Sequence, residues 1–114
     1  MMTERRTIVF AGIGDSALSN LVTLGKNLNI AIKRRGLRQS DIAEATFISL
    51  PTLRKALRGD PTVSMGVYVA ILSQLQLVDQ LTELASPERD KIGIELAERS
   101  LPTRVRIKKS KYDF

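Results

Sequence analysis

The sequence predicts an all-α protein, a small helical bundle with an aliphatic core. Three observations predict it. Apolar residues make up 43% of the chain but aromatics only 4%, so Leu, Ile, Val and Ala must fill the interior. Apolar positions recur at three- and four-residue spacing through most of residues 16–84. Gly36, Gly59-Asp60-Pro61 and Ser86-Pro87 punctuate that pattern where helices should stop or start. The resulting organisation is an N-terminal arm or short strand (1–15), a helical domain (16–85) and a C-terminal extension of a helix plus basic tail (86–114).

Residues 1–15 lack a helical pattern. Thr7-Ile8-Val9-Phe10 favours a strand, and Gly12-Ile13-Gly14-Asp15 breaks it. The Gly-x-Gly pair has no third glycine and no following βαβ unit, which excludes a phosphate loop. Over 16–35, Leu21, Leu24, Gly25, Leu28, Ala31 and Ile32 share one face of a helix. Asp15 or Ser16 is the expected cap, and Lys33-Arg34-Arg35 followed by Gly36 ends it.

Residues 38–59 read as two short helices joined by a tight corner. The first spans 39–45. Ser49 is placed to cap the second, with Pro51 in its first turn, where a missing N–H costs nothing. Ile42, Ala43, Ile48, Leu53 and Leu57 point to one side, and Ala43 is small enough for the helices to cross closely. The outer face of the second helix keeps Leu50, Pro51, Arg54, Lys55 and Arg58. Such a helix, apolar behind and basic in front, suits the major groove of DNA.

A fourth helix is expected over 64–75, capped by Ser64, and a fifth over 78–84, offering Val78, Leu81 and Leu84. The fourth is apolar almost all round, so it needs a second cover, either the fifth helix or a partner subunit. Ser86 and Pro87 start another helix with Ile92, Leu96 and Ala97 as a narrow apolar stripe, and Leu101-Pro102 ends it. Basic and apolar residues alternate from Arg104 to Lys111. This tail is either a strand, pairing with residues 7–10 or a second subunit, or a basic arm.

Gln39-x-x-x-Ala43, Ile48-Ser49, and Thr52-Leu53 followed by Gly59 resemble the Cro/CI-type (Xre-type) helix-turn-helix family over roughly residues 21–84. The resemblance implies a five-helix lambda-repressor-like DNA-binding domain and a homodimer on a palindromic operator in double-stranded DNA. By the family pattern, Gln39 contacts a phosphate and buttresses the reading helix. Leu50, Pro51 and Lys55 face base edges. Ser49, Thr52, Arg54 and Arg58 complete the DNA-binding set, with Thr52 and Arg58 near the sugar-phosphate backbone. The family places Gly at the corner, at positive φ, where this chain has Phe47; either the corner has a different backbone or packing holds Phe47 in that conformation, and its side chain is expected to plug the core. Only Lys55 of the base-facing residues donates hydrogen bonds, to guanine, so DNA shape and dimer spacing must supply part of the selectivity. Lys33, Arg34, Arg35 and Arg38 lie beside the expected backbone and equally complement the helix dipole.

Asp90, Gly93 and Leu101-Pro102-x-Arg104-Val105-Arg106 resemble regulators encoded beside HipA-type kinase toxins. That likeness implies an antitoxin of a HipBA-like pair, which represses its own operon and binds the kinase toxin. The alternatives are a stand-alone phage-type repressor and a protein-binding adaptor that does not touch DNA.

A net charge of +6 and a pI of about 10.1 favour a polyanionic partner, most simply nucleic acid. No enzyme is expected: His and Cys are absent, and the acidic residues are scattered as caps and helix surface. For the same reason no metal or other cofactor is expected. No apolar run is long enough for a membrane span, residues 7–11 are too short for a signal-peptide core, and the lack of cysteine suits the cytoplasm.

Overall fold

A computed structural model describes residues 12–100. Every regular element among these residues is helical, and none is a strand. The expected strands at 7–10 and in the basic tail, and the Leu101-Pro102 exit, lie outside the described residues. No described helix is long and apolar enough to cross a membrane. The chain divides into two compact units, one through Val78 and one from Asp79 onward.

The first unit contains α1 (Asp15–Arg34), α2 (Gln39–Thr46), α3 (Leu50–Leu57) and α4 (Met65–Gln74). Neither Asp15 nor Ser16 caps α1. Gly14 occupies the cap position with no side-chain bond, and Asp15 lies inside the first turn, where its charge still complements the helix dipole. Gly25, Leu28 and Ile32 of α1 are buried, as are Ile42 and Ala43 of α2. Leu53, Ala56 and Leu57 of α3 join them with Tyr68, Ile71 and Leu72 of α4 and the adjacent Leu75. Two eight-residue helices are too short to persist alone in water, so this shared aliphatic core holds them. Ser64 occupies the cap position of α4 but makes no side-chain cap bond. Met65 is exposed and Val67, Val69 and Ala70 are half-buried, so part of the α4 surface stays open.

Glycine brings α1 and α3 into backbone contact. A Cβ on Gly25 would collide with the Leu57 carbonyl oxygen, and one on Gly59 with the backbone of Leu21 and Val22. Gly59 also sits at φ +77°, where side chains are strained.

All four helices end in one way. The residue past the last turn is left-handed, its N–H bonds three residues back, and the next N–H bonds five residues back. Gly36 and Leu37 close α1 on Lys33 and Ile32, and Gly59 and Asp60 close α3 on Ala56 and Lys55. Phe47 and Ile48 close α2 on Glu44 and Ala43, and Gln76 and Leu77 close α4 on Ser73 and Leu72. Phe47 therefore does not plug the core. It keeps the left-handed backbone (φ 60°, ψ 26°) that the corner demands, and its side chain is 96% exposed. Ile48 is half-buried instead.

The expected helix over 78–84 is a 3-10 segment, Val78–Glu83, which starts at the last residue of the first unit and has no buried residue. Thr82 Oγ1 donates to the Asp79 carbonyl at 2.8 Å within it. The expected helix from Ser86 also starts later. Pro87–Arg89 is a 3-10 turn, and Ser86 is buried with its Oγ unbonded. Asp90 caps α5 (Lys91–Arg99) by accepting from the Gly93 N–H at 2.9 Å. A Cβ on Gly93 would strike that carboxylate, which accounts for glycine inside the first turn. No residue of α5 is buried; Ile92, Ile94 and Leu96 are exposed rather than packed.

Gly25→Ala should lower stability by about 1–2 kcal/mol, because overpacking against a backbone carbonyl outweighs the gain in helix propensity. Phe47→Gly should raise it by about 0.5–1 kcal/mol, since left-handed strain is relieved and no buried surface is lost. Urea denaturation of both variants checks the two signs.

Candidate nucleic-acid interface

The corner between α2 and α3 consists of Phe47, Ile48 and Ser49. Ser49 caps α3 as expected: its Oγ accepts the Thr52 N–H at 3.2 Å and donates to Thr52 Oγ1 at 2.8 Å. The Thr52 hydroxyl proton remains available for an outside acceptor. Pro51 lies in the first turn of α3 and is exposed, beside half-buried Leu50. Leu53 on the opposite side of the helix has no exposed surface. Arg54 and Arg58 are exposed and Lys55 is half-buried. One wall of α3 thus anchors it, and the other carries three cations.

Gln39 opens α2, and its side chain is engaged by α1: Gln39 Nε2 donates to Asn29 Oδ1 at 3.3 Å. These residues border a cleft of about 350 Å3. Asn29 and Lys33 of α1 form one wall, Arg38, Gln39 and Ser40 the second, and Leu50 and Arg54 of α3 the third. Lys33, Arg38 and Arg54 make the cleft cationic, and no acidic residue lines it.

Asp41 fixes the start of α2. Its carboxylate accepts the Arg38 N–H at 2.8 Å and pairs with the exposed Arg38 guanidinium at 3.4 Å. These bonds, the backbone one foremost, hold the Asp41 carboxyl below the usual aspartate range.

The sequence put Gln39 at the start of the first motif helix and Leu50 and Arg54 on the outer face of the second; Arg54 is exposed, Gln39 and Leu50 are half-buried, and all three line one cleft, which was not foreseen. Sequence reasoning missed Asn29 and Ser40 altogether. A polar residue at a half-buried helix position was the available signal for Asn29. Arg35 departs from its expected place beside the cations. Its guanidinium donates to the Ala31 carbonyl at 2.9 Å and the Leu75 carbonyl at 3.0 Å, joining the C-terminal ends of α1 and α4. Tyr68 braces the far end of α3, its hydroxyl lying 3.4 Å from the carbonyls of both Ala56 and Asp60. Burial first, and the Asp60 charge second, push the Tyr68 phenol above its usual range.

Comparison with known proteins returns no matching family model, no curated protein and no solved structure.

The Asp41 contribution has a defined pH window. Its native pKa lies below that of the unfolded chain, so the stabilisation is complete above about pH 3.9 and fades as pH falls through the lower native value. The stability difference between the parent and Asp41→Asn should therefore be constant near neutral pH and vanish in strong acid. Thermal unfolding from pH 7 to pH 2 measures it.

Proposed function

We propose that this chain is a sequence-specific DNA-binding transcription regulator with a lambda-repressor-like helix-turn-helix domain. The two-sided character of α3 carries the reading: Leu53, Ala56 and Leu57 are buried, while Arg54 and the adjoining Arg58 are exposed and Lys55 is half-buried. A helix anchored in this way offers a cationic ridge to the major groove. Lys55 donates to guanine edges, and Leu50 and Pro51 meet thymine methyl groups. Thr52, Arg58 and the start of α2 hold the sugar-phosphate backbone. A homodimer on a palindromic operator would set two such helices one turn of the duplex apart.

The more specific proposal is an antitoxin of a HipBA-like pair that represses its own operon and binds a kinase toxin. The resemblance around Asp90 and Gly93 supports it. So does the exposed apolar stripe of Ile92 and Leu96 on α5, which offers a surface for a protein partner. Co-purification with a kinase-like protein from the native host separates this from a stand-alone repressor.

Selection from a random duplex pool, followed by anisotropy titration at two salt concentrations, tests DNA binding. Lys55→Ala should cost about 1–3 kcal/mol on the selected site and relax preference at one position. Arg58→Ala should weaken all duplexes alike and reduce the salt slope by about 1. A chain that enriches no sequence, and binds random duplex no better than a neutral protein, overturns the reading.

A further inference from the structure

We infer that Asn29 of α1 is a positioning residue for DNA, orienting the Gln39 amide toward a backbone phosphate held in the cleft between α1, α2 and α3. The inference rests on the DNA-binding reading and adds a residue outside the two-helix motif. The Asn29–Gln39 hydrogen bond of 3.3 Å uses one of the two Gln39 Nε2 hydrogens and occupies the Asn29 acceptor. What remains on Gln39 for a ligand is the second Nε2 hydrogen, held in place by Asn29. Lys33 and Arg54 line the same cleft as this amide pair. Arg38 spends part of its charge on Asp41. Donors and cations from three elements, together with apolar Ile32, Leu37 and Leu50, line a space that has no acidic residue, and a phosphate diester oxygen is an acceptor such donors can take.

Stability alone does not call for this pair. The bond is long and half-exposed, and asparagine is a poor residue for a helix interior. Fixing the amide in advance has its value on binding, because a side chain already held in place loses less freedom when the phosphate arrives.

The test uses the full chain and the duplex selected above. Affinities are measured for the parent, Asn29→Ala, Gln39→Ala, the double variant and Asn29→Asp. Thermal unfolding confirms that each is folded. Asn29→Ala should weaken binding about three- to tenfold. The double variant should bind within about twofold of Gln39→Ala, because the two residues act as one unit. Asn29→Asp should lose more than Asn29→Ala. Its carboxylate still accepts from Gln39 but repels a phosphate, which checks that the phosphate lies beside Asn29; the coupling in the double variant separates positioning from a purely structural bond. Losses that multiply in the double variant, or an Asn29→Asp protein that binds like the parent, overturn the inference while DNA binding stands. If the parent binds no duplex, both readings fall.

Discussion

The packing of the first unit depends on the backbone contact of α1 with the C-terminal end of α3. Gly25 faces the Leu57 carbonyl, and Gly59 faces the backbone at Val22, so no side chain separates the two helices. Ala56, buried between larger residues, fits the same narrow spacing. With that end of α3 fixed, its other end is set by the Ser49 cap and the three-residue corner. The stripe of α1 that begins at Gly25 continues four and eight residues on, at Asn29 and Lys33. With Ile32, those are the α1 residues that line the cationic cleft. One glycine contact therefore decides both how α3 is mounted and which side chains of α1 stand beside it.

The helix ends follow a shared rule with unequal costs. Gly36 and Gly59 adopt the left-handed closing conformation freely, whereas Phe47 and Gln76 do so against their side chains. The two backbone bonds that each closure makes satisfy carbonyls which the helix would otherwise leave open. Keeping Phe47 there yields no burial in return, since nearly all of its surface faces outward. The corner retains its geometry because the core residues on either side, Ala43 and Leu53, leave the chain no other path.

Apolar periodicity made most of the first unit legible. Leu28, Ile32, Ile42, Leu53 and Ile71 all lie where a helical period puts them. The errors came where two local signals competed. Ser86-Pro87 and Asp90-x-x-Gly93 are both plausible helix starts, and the carboxylate with its unhindered glycine N–H prevailed. Residues 78–83 carry too few apolar positions to sustain an α-helix and take the tighter 3-10 form. Phe47 was misread because exposure of an aromatic side chain is not encoded in its backbone conformation. Of the candidate site, the exposure of Arg54 and Arg58 followed from their charge, whereas Leu50 and Pro51 were placed against base edges only by the family pattern. Asn29 was not legible, because its partner lies ten residues away and no period links them.

Arg35 shows why net charge alone does not locate a binding face. It belongs to the same basic run as Lys33 and Arg34, yet its guanidinium is spent on backbone carbonyls of α1 and α4. Lys33 lies on the stripe that leads into the cleft instead. The direction of each side chain around the helix, not the density of positive residues, sorts structural cations from those left for a ligand. On the DNA reading, this sorting places cations beside an α3 tip made of Leu50 and Pro51, which has few hydrogen bonds to give. Such a surface grips backbone strongly and bases sparingly, so its selectivity must draw on the shape of the duplex and on the spacing of paired sites.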